Sequence, residues 1–390
     1  MPMLSSRIRR ALLALVSVGT GFLFIPSPAS AREVQSPPGT LIEYSRKAGA
    51  PVGAQAWRIR YVSRNEAGRP IEVTGVVIAP KGMPNRLGRP VLAWAHGTWG
   101  VADKCTPSAS PNFFAATPAL DDAIARGHVV VATDYEGLGT DGPHPYLVGG
   151  SAGRSVLDAI RAAQAIPEAG ASRRFAVWGE SQGGHASLWT GQIAKNYAPE
   201  LDLVGVAAAA PPTDLIENLT SGSDPSIRAF LTAFTAHSWS EYFGAPLDTL
   251  GNKSTQGIIN RLARNNCVTL GAKPRIGAVV GVLVLRQRLK DVNLGKISPW
   301  AEIARANSPA RRDYGVPFLI AQNSGDSIVG PQVTRQFSQD LCRAGARVRW
   351  VPITSETGHP TSAKDSATET LNWIDARFAG ERARSDCGNF

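Results

Sequence analysis

The chain has 390 residues, of which 43% are hydrophobic and 18% are charged, and its formal net charge is +10. This balance is typical of a globular protein with a substantial hydrophobic core, and it excludes a disordered chain or a coiled coil. No basic run, and no interleaving of basic with aromatic residues, concentrates the positive charge, so nucleic acid is not expected as a partner. The charge is compatible with contact to anionic lipid headgroups but does not by itself establish it.

The first 31 residues have the organisation of a secretory signal peptide. Basic residues at 7–10 precede an apolar stretch from Ala11 to Ile25, and Ala29-Ser30-Ala31 supplies the small residues of a cleavage site. The apolar stretch is shorter than the ~20 residues that span a bilayer, which disfavours a membrane anchor. We therefore expect cleavage after Ala31 and an exported chain, extracellular or periplasmic, whose formal charge falls from +10 to +7 with the loss of three leader arginines.

The rest of the chain alternates short apolar runs with amphipathic segments. The first two runs flank a hairpin turn and are expected to be antiparallel, whereas the later strand–helix alternation predicts a mostly parallel sheet with helices on both faces. Eight strands are predicted, at residues 55–63, 71–79, 90–95, 128–133, 174–178, 203–209, 316–322 and 347–353. Helices are predicted at about residues 117–126, 152–166, 182–198, 331–343 and 361–378.

About a hundred residues before the seventh strand do not continue this alternation. Residues 213–312 are helical and aromatic in character, and we expect them to form a cap over the carboxyl ends of the strands. The predicted core is therefore discontinuous, with residues 32–212 and 313–390 on either side of the cap.

The most informative motif is Gly-x-Ser-x-Gly at residues 179–183, between a predicted strand and a predicted helix. A serine on such a sharp turn is held with its hydroxyl at the edge of a sheet and beside the positive end of a helix. Gly179 and Gly183 would provide the space that the turn needs. An incidental serine in a glycine-rich turn is the alternative, but the flanking strand and helix favour Ser181 as a nucleophile.

A serine nucleophile needs a base and an acid that orients the base, and in this architecture they follow in the order Ser, acid, His. Three histidines follow Ser181. His185 on the helix after the turn and His237 in the cap are expected to have packing roles. His359 lies after the last strand, where the base belongs.

Asp326 follows the preceding strand and is the predicted acid. The alternatives are that Asp326 only stabilises a turn, or that Asp313, just before the same strand, is the acid. For the oxyanion hole, the backbone N–H of Gln182 is the first predicted donor. The second is expected in the loop after the third strand, from Thr98 as first choice and Trp99 as second, while His96 is expected to stabilise that loop.

The chain carries several further motifs around the serine turn. They are His96-Gly97-Thr98, Cys105-Thr106-Pro107-Ser108, Asp134-Tyr135-Glu136-Gly137-Leu138-Gly139, His144-Pro145-Tyr146, residues 155–162, Gly325-Asp326 and Gly358-His359. Together with the serine turn, these motifs resemble the secretory lipase family, the lipase A-like group of the α/β-hydrolase superfamily. The resemblance implies an α/β-hydrolase fold with a large helical cap insertion, a triad of Ser181, Asp326 and His359, and activity as an esterase or lipase on acyl esters, triacylglycerols or shorter.

The four cysteines can pair in three ways, and none has the spacing of a metal site, so neither a metal nor another cofactor is expected. The family resemblance implies one disulfide between core and cap. We accordingly predict Cys105–Cys267, which would join the loop near the oxyanion strand to the cap. We also predict Cys342–Cys387, which would fix the charged C-terminal tail.

Three rival functions remain open. An acyltransferase would pass the same acyl group to another alcohol, a peptidase of the same fold would cleave amides, and a non-catalytic module would bind lipid only. The ordered triad disfavours the last. The sequence predicts a lipid or small-molecule ester as substrate and a transient contact with a lipid interface, and it gives no oligomeric state.

One segment of the predicted cap is apolar on nearly all sides. One stripe with helical spacing is formed by Ile276, Val279, Val280, Leu283 and Val284. Because several of these residues are β-branched, a strand is an alternative to a helix here. Two interpretations of this segment are open. It fills the interface between cap and core, or its residues Val280 and Leu283 line a channel for the acyl chain. The first is at least as well supported by the sequence as the second.

Overall fold

The computed structural model describes residues 36–84, 86–221, 223–268 and 275–390. The predicted signal peptide and its cleavage position after Ala31 lie outside the described residues. Within these ranges, no helix is both long and apolar enough to cross a membrane.

The centre of the fold is a mixed sheet of nine strands. The strands are β1 (Leu41–Arg46), β2 (Ala54–Arg64), β3 (Pro70–Pro80), β4 (Arg89–Ala95), β5 (Val129–Thr133), β6 (Ala171–Glu180), β7 (Asp202–Ala209), β8 (Phe318–Asn323) and β9 (Val348–Ile353). Their order in the sheet is β1-β2-β3-β5-β4-β6-β7-β8-β9. The pairs from β5 to β9 are parallel, whereas β1, β2 and β3 pair antiparallel, as do β3 and β5.

The predicted count of eight strands is wrong, because β1 was missed. This strand pairs with β2 at the edge of the sheet, and its sequence Leu-Ile-Glu-Tyr-Ser-Arg is exposed at every position except the first. A strand that buries no face carries no hydrophobic alternation, so pattern reading cannot detect it. The predicted class, a mostly parallel sheet covered by helices, is confirmed.

Helices cover both faces of the sheet. Buried side chains of α2, α3 and α9 pack on one face, and those of α1 and α11 pack on the other. The helices are α1 (Leu120–Ala125), α2 (Gly149–Gln164), α3 (Gln182–Tyr197), α4 (Leu215–Ser221), α5 (Pro225–Phe243), α6 (Lys253–Asn265), α7 (Ile276–Arg288), α8 (Trp300–Asn307), α9 (Pro331–Arg343), α10 (Ser362–Asp365) and α11 (Ala367–Phe378).

The helix predicted over 361–378 is two helices in the structure. A 3-10 turn at His359–Thr361 leads into α10, and the chain bends at Ser366 before α11 begins. The helix α9 has the predicted bounds. The interruption after the last strand is what brings His359 to the edge of the sheet rather than onto a continuous helix.

The segment between β7 and β8 contains α4 to α8, which pack around a hydrophobic cluster that includes Phe234, Trp239 and Trp300. This cluster also includes Tyr146, Leu147 and Val148, which lie outside the segment, just before α2. The segment over 276–288 is a helix, not the strand that its composition left open.

Both predicted cysteine pairs are disulfides in the structure. Cys105 and Cys267 are bonded across 162 positions of sequence, and Cys342 and Cys387 across 45. The first bond joins the loop after β4 to the helical segment, and the second joins the end of α9 to the C-terminal tail.

Candidate active site

Ser181 stands alone between β6 and α3, with φ 55° and ψ −120°. A positive φ is unfavourable for a residue with a side chain, so the surrounding structure must enforce it. The N–H of Ser181 donates to the carbonyl of Ala209 at 2.9 Å, and its carbonyl accepts from the N–H of His185 at 3.0 Å. These bonds fix the turn from the neighbouring strand and from α3.

The two glycines of the motif are required by close backbone contacts. A Cβ on Gly179 would lie 2.1 Å from the carbonyl oxygen of Gly183, and a Cβ on Gly183 would lie 1.8 Å from that of Ala95. Neither backbone atom can move without disrupting the sheet or α3. The structure therefore agrees with the expectation that these two glycines provide the space that the turn needs.

His359 and Asp326 are brought to Ser181 from two other strand ends. His359 Nε2 is 2.9 Å from Ser181 Oγ, and His359 Nδ1 is 2.7 Å from Asp326 Oδ2. Since the carboxylate can only accept, Nδ1 donates to it, and Nε2 is free to accept the serine proton. Asp326 and His359 are 6% and 8% exposed, so this hydrogen-bonded chain is shielded from water.

The carboxylate of Asp326 has partners on both oxygens. Oδ1 accepts the backbone N–H groups of Ile328 at 2.8 Å and Val329 at 2.9 Å, and Oδ2 accepts from Gln322 Nε2 at 3.0 Å. Such bonds fix the orientation of the carboxylate toward the imidazole. Asp313, the alternative acid, is exposed and accepts the N–H of Gly315 in a turn.

Gln182 begins α3 and is 3% exposed. Its side-chain nitrogen is 3.0 Å from Nε2 of His144, whose Nδ1 is 2.8 Å from the carbonyl oxygen of Glu136. That carbonyl can only accept, so Nδ1 carries the proton and Nε2 accepts from the amide. Burial lowers the pKa of His144 to about 4, which keeps the ring neutral.

The loop after β4 lies against the nucleophile, because a Cβ on Gly97 would be 3.8 Å from Ser181 Cβ. Thr98 Oγ1 is bonded to the hydroxyl of Tyr146 at 2.8 Å, and the carbonyl of Trp99 accepts the N–H of Val268 at 2.8 Å. His96 Nδ1 is bonded to the Gly97 carbonyl at 2.7 Å, consistent with a loop-stabilising role.

Ser181 opens into a cavity of about 490 Å³, which we call the Ser181 cavity. Its wall is mostly apolar, and α5 contributes Ile227, Phe230 and Leu231 to it. The lining includes Gly97, Thr98, Trp99, Ala115, Ala116, Glu180, Ile227, Phe230, Leu231, Val268, Ile328, His359 and Pro360.

A second cavity of about 660 Å³, the α5–α7 cavity, lies beside the first. The two share the lining residues Ile227, Phe230 and Val268, so they are neighbours with a common wall. Leu283 lines the α5–α7 cavity, whereas Val280 is not among the lining residues of either cavity. Val280 is 54% exposed and Leu283 is 52% exposed.

The other two histidines that follow Ser181 have the packing roles expected from the sequence. His185 is fully buried and is bonded through Nε2 to the carbonyl of Asn307 at 2.7 Å. His237 is bonded through Nδ1 to Asn260 at 2.9 Å.

Sequence reasoning missed the groups that hold the predicted residues. Gln322 contacts Asp326, and His144, which is held by the carbonyl of Glu136, contacts Gln182. One signal was present in the sequence. Gln322 lies near the end of an otherwise apolar buried strand, and a buried amide needs hydrogen-bond partners.

Comparison with known proteins agrees with this geometry. The family model described as secretory lipase matches residues 115–386. Lipase A of Moesziomyces aphidis is 25% identical over 375 residues, covering 88% of this chain and 77% of that protein. The secreted triacylglycerol lipase LIP4 of Malassezia globosa is 24% identical over 362 residues, covering 85% and 75%. A probable inactive lipase of Mycobacterium tuberculosis is also 25% identical over 350 residues, covering 85% and 75%.

Solved structures show the same fold. Candida antarctica lipase A in its closed state superposes with a TM-score of 0.71 at 22% identity, over 90% of this chain and 85% of that one. The rice cell wall degrading esterase LipA from Xanthomonas oryzae gives 0.66 at 19%, over 89% and 100%. The family match spans most of the chain and includes the serine turn, Asp326 and His359. The chain therefore belongs to the secretory lipase family, and this membership supports activity as a carboxylic ester hydrolase.

Proposed function

We propose that this protein is a secreted serine hydrolase that transfers the acyl group of a carboxylic ester to Ser181 and then to water. The observation that carries the proposal is the hydrogen-bonded chain Ser181–His359–Asp326 at the floor of an apolar cavity. A serine hydroxyl is a weak nucleophile until a positioned base removes its proton. The 2.9 Å contact from Oγ to Nε2 supplies that base without any rearrangement.

In the first half-reaction, Ser181 Oγ attacks the ester carbonyl while its proton moves to His359 Nε2. The resulting imidazolium is stabilised by Asp326, whose carboxylate is already fixed by two backbone N–H groups. The imidazolium then gives the proton to the leaving alcohol as the carbon–oxygen bond breaks. In the second half-reaction, water takes the place of the alcohol and the same proton transfers release the acid.

The negative charge on the carbonyl oxygen needs two N–H donors in the transition state. We infer that one is the N–H of Gln182, because this residue begins α3 directly after the nucleophile. The other comes from the loop beside Ser181, with Thr98 first and Trp99 second. The bonds of Thr98 to Tyr146 and of Gln182 to His144 would keep both donors in place as charge develops.

We infer that the acyl chain passes from the Ser181 cavity into the α5–α7 cavity. Phe230 and Ile227 form the shared wall, and Leu283 lines the far side. Each methylene buried there would stabilise the bound ester by about 0.8 kcal/mol. Leu283 lines the α5–α7 cavity and Val280 does not, which favours Leu283 as the side chain that limits chain length.

The residues 213–312 then act as a cap, a role supported by Ile227, Phe230 and Leu231 of α5, which line the Ser181 cavity. We infer that this cap also makes the transient contact with a lipid interface. The side chains of Ile276, Val279, Val280 and Leu283 on α7 are between 42% and 83% exposed, beside the α5–α7 cavity. An apolar helix face that borders a cavity would let an ester enter from a lipid phase.

Export is supported by the two disulfides, which persist in oxidising compartments, and by the family's description as secretory. Residues 1–31 would be removed in the process. Amino-terminal sequencing of the exported protein should begin at Arg32.

The test of the proposed function is labelling and turnover in one preparation. The wild-type protein should react with a fluorophosphonate probe at Ser181 and hydrolyse p-nitrophenyl esters, and Ser181→Ala should lose both, with turnover falling by about 10⁴-fold or more. Faster turnover of amides than of esters would indicate a peptidase, and transfer to an added alcohol exceeding hydrolysis would indicate an acyltransferase. Full ester turnover by Ser181→Ala would contradict the proposal.

A further inference from the structure

Glu180 is an acidic residue in the lining of a mostly apolar cavity. It is the last residue of β6, next to the nucleophile, and it lines the Ser181 cavity. One of its carboxylate oxygens, Oε1, accepts the backbone N–H of Ala363 at 2.7 Å. No step of the ester hydrolysis described above uses this group.

The bond to Ala363 links the strand of the nucleophile to the loop of the base. Ala363 lies in α10, four positions after His359, and the 3-10 turn between them is short. The other side of this loop is held by Asp365, which accepts the hydroxyl groups of Ser355 at 2.5 Å and Thr361 at 2.6 Å. Glu180 is therefore a direct link between β6 and α10, the helix that follows the turn of His359.

Glu180 and His359 also line the same cavity. Burial raises the pKa of Glu180 to about 7, while its bond to Ala363 and the interaction with His359 oppose the rise, and Asp365 and Asp326 add to it. The end of the neighbouring strand β4 contributes His96, whose pKa burial lowers to about 4, so that this ring is neutral. The charge of Glu180 thus changes across the neutral pH range, beside the imidazole.

We propose that Glu180 is a positioning residue for His359, which holds the loop of the base through Ala363 and places a second carboxylate beside the imidazole. The inference rests on the proposed function, in which His359 becomes an imidazolium when it takes the proton of Ser181. An ionised Glu180 stabilises that imidazolium by Coulomb attraction, in addition to Asp326 on the other side. A protonated Glu180 keeps the loop in place but adds no charge.

A purely structural role makes a different prediction. If Glu180 only capped the short helix α10, a neutral acceptor would serve as well as a carboxylate. Glu180→Gln keeps an oxygen that can accept the Ala363 N–H and removes the charge, whereas Glu180→Ala removes both. The two variants therefore separate the effect of the charge from that of the bond.

The experiment measures kcat and kcat/KM for a short p-nitrophenyl ester between pH 5 and 9. For Glu180→Gln we expect kcat at pH 8 to fall about tenfold, as loss of one nearby charge predicts. The midpoint of the acidic limb of kcat/KM should move to lower pH by about 0.5 unit or more, because protonated His359 loses a stabilising charge. For Glu180→Ala we expect a fall of about 100-fold, since the base loop loses its anchor.

The matched control is Glu356→Gln, which removes an exposed carboxylate from the same loop, three positions before His359. Its pH profile should superimpose on that of the wild type. Circular dichroism and fluorophosphonate labelling of Ser181 verify that each variant is folded.

The inference is overturned if the profile of Glu180→Gln superimposes on that of the wild type, or if Glu180→Ala keeps full activity. These outcomes leave the proposed function intact, provided that the wild-type protein turns over esters and is labelled. Activity of Ser181→Ala in the same assay would instead overturn the proposed function. The two failures are therefore distinguishable.

Discussion

The triad and helix α7 are built in different ways. Asp326 is held by two backbone N–H groups, and the backbone of Ser181 is held by that of β7 and α3. On α7, by contrast, Ile276 is 83% exposed, and Leu285 is the single fully buried side chain of the helix among the described residues. One region is fixed by directional bonds in a dry interior, and the other presents apolar surface without directional partners.

The difference suits the role that we propose for each region. Proton transfer and nucleophilic attack depend on distances held within fractions of an ångström, which hydrogen bonds to a rigid sheet can enforce. Accommodating an alkyl chain needs only apolar area, because the hydrophobic effect is non-directional. A substitution in the first region should therefore abolish turnover, whereas one in the second should change which ester is preferred.

The largest effect is expected where the directional bonds are removed. Asp326→Asn should lower kcat by about 10³–10⁴-fold, because the amide offers a donor to His359 Nδ1 and favours the wrong tautomer. Asp313→Asn is the matched control, since Asp313 lies exposed in the turn before the same strand. Steady-state kinetics of both variants on one ester decide the assignment. Loss of activity in Asp313→Asn with retention in Asp326→Asn would show that the acid is misassigned.

A second prediction addresses a contact between the sheet and the helical segment that contains α7. Glu136 follows β5, and its carboxylate accepts the hydroxyl of Tyr242 on α5 at 3.2 Å and that of Ser151. Burial raises the pKa of Glu136 from 4.5 to about 7, although both hydroxyl bonds oppose the rise. Between these two values the folded state retains a proton that the unfolded state has lost, so this group's contribution to stability falls as pH increases.

Glu136→Gln removes that titration. From pH 5 to pH 7.5 the wild type should lose stability relative to the variant, by on the order of 1–3 kcal/mol. Urea denaturation at the two pH values measures the difference, and the exposed Glu302→Gln is the control. An equal change in both proteins, or a change of opposite sign, would show that Glu136 is ionised throughout the range in the folded protein.

The smallest effect is expected on α7, where two side chains of similar exposure face different surroundings. Leu283→Trp should reduce kcat/KM for an octanoate ester relative to a butyrate ester by about tenfold, because the larger ring fills part of the α5–α7 cavity. Val280→Trp, which alters a residue outside the lining of both cavities, should leave the ratio within about twofold.

The chain-length profile of each variant is measured with p-nitrophenyl esters of even-numbered acids. If Val280→Trp shifts the preference and Leu283→Trp does not, the chain runs along the outer side of α7. If neither does, the apolar surface of this helix is unrelated to the acyl chain.

The sequence by itself determined those features that depend on local pattern. The serine turn could be read directly from its local pattern, because Gly179 is required by a contact within the turn, to the carbonyl oxygen of Gly183, although the contact that requires Gly183 comes from Ala95 on β4. The bounds of α9 could be predicted, since an amphipathic helix repeats its apolar face every 3.6 residues. The chain order of Ser181, Asp326 and His359 indicated the right loops, although it could not supply the distances between them.

Only the tertiary structure decided the features that depend on distant neighbours. The strand β1 carries no hydrophobic signal because its side chains are exposed, and α7 could be assigned as a helix only once its surroundings were known. Likewise, the contact of Glu180 with Ala363 spans 183 positions of sequence. Nothing in the local sequence specifies such a pair, because packing of the sheet against α10 creates the contact.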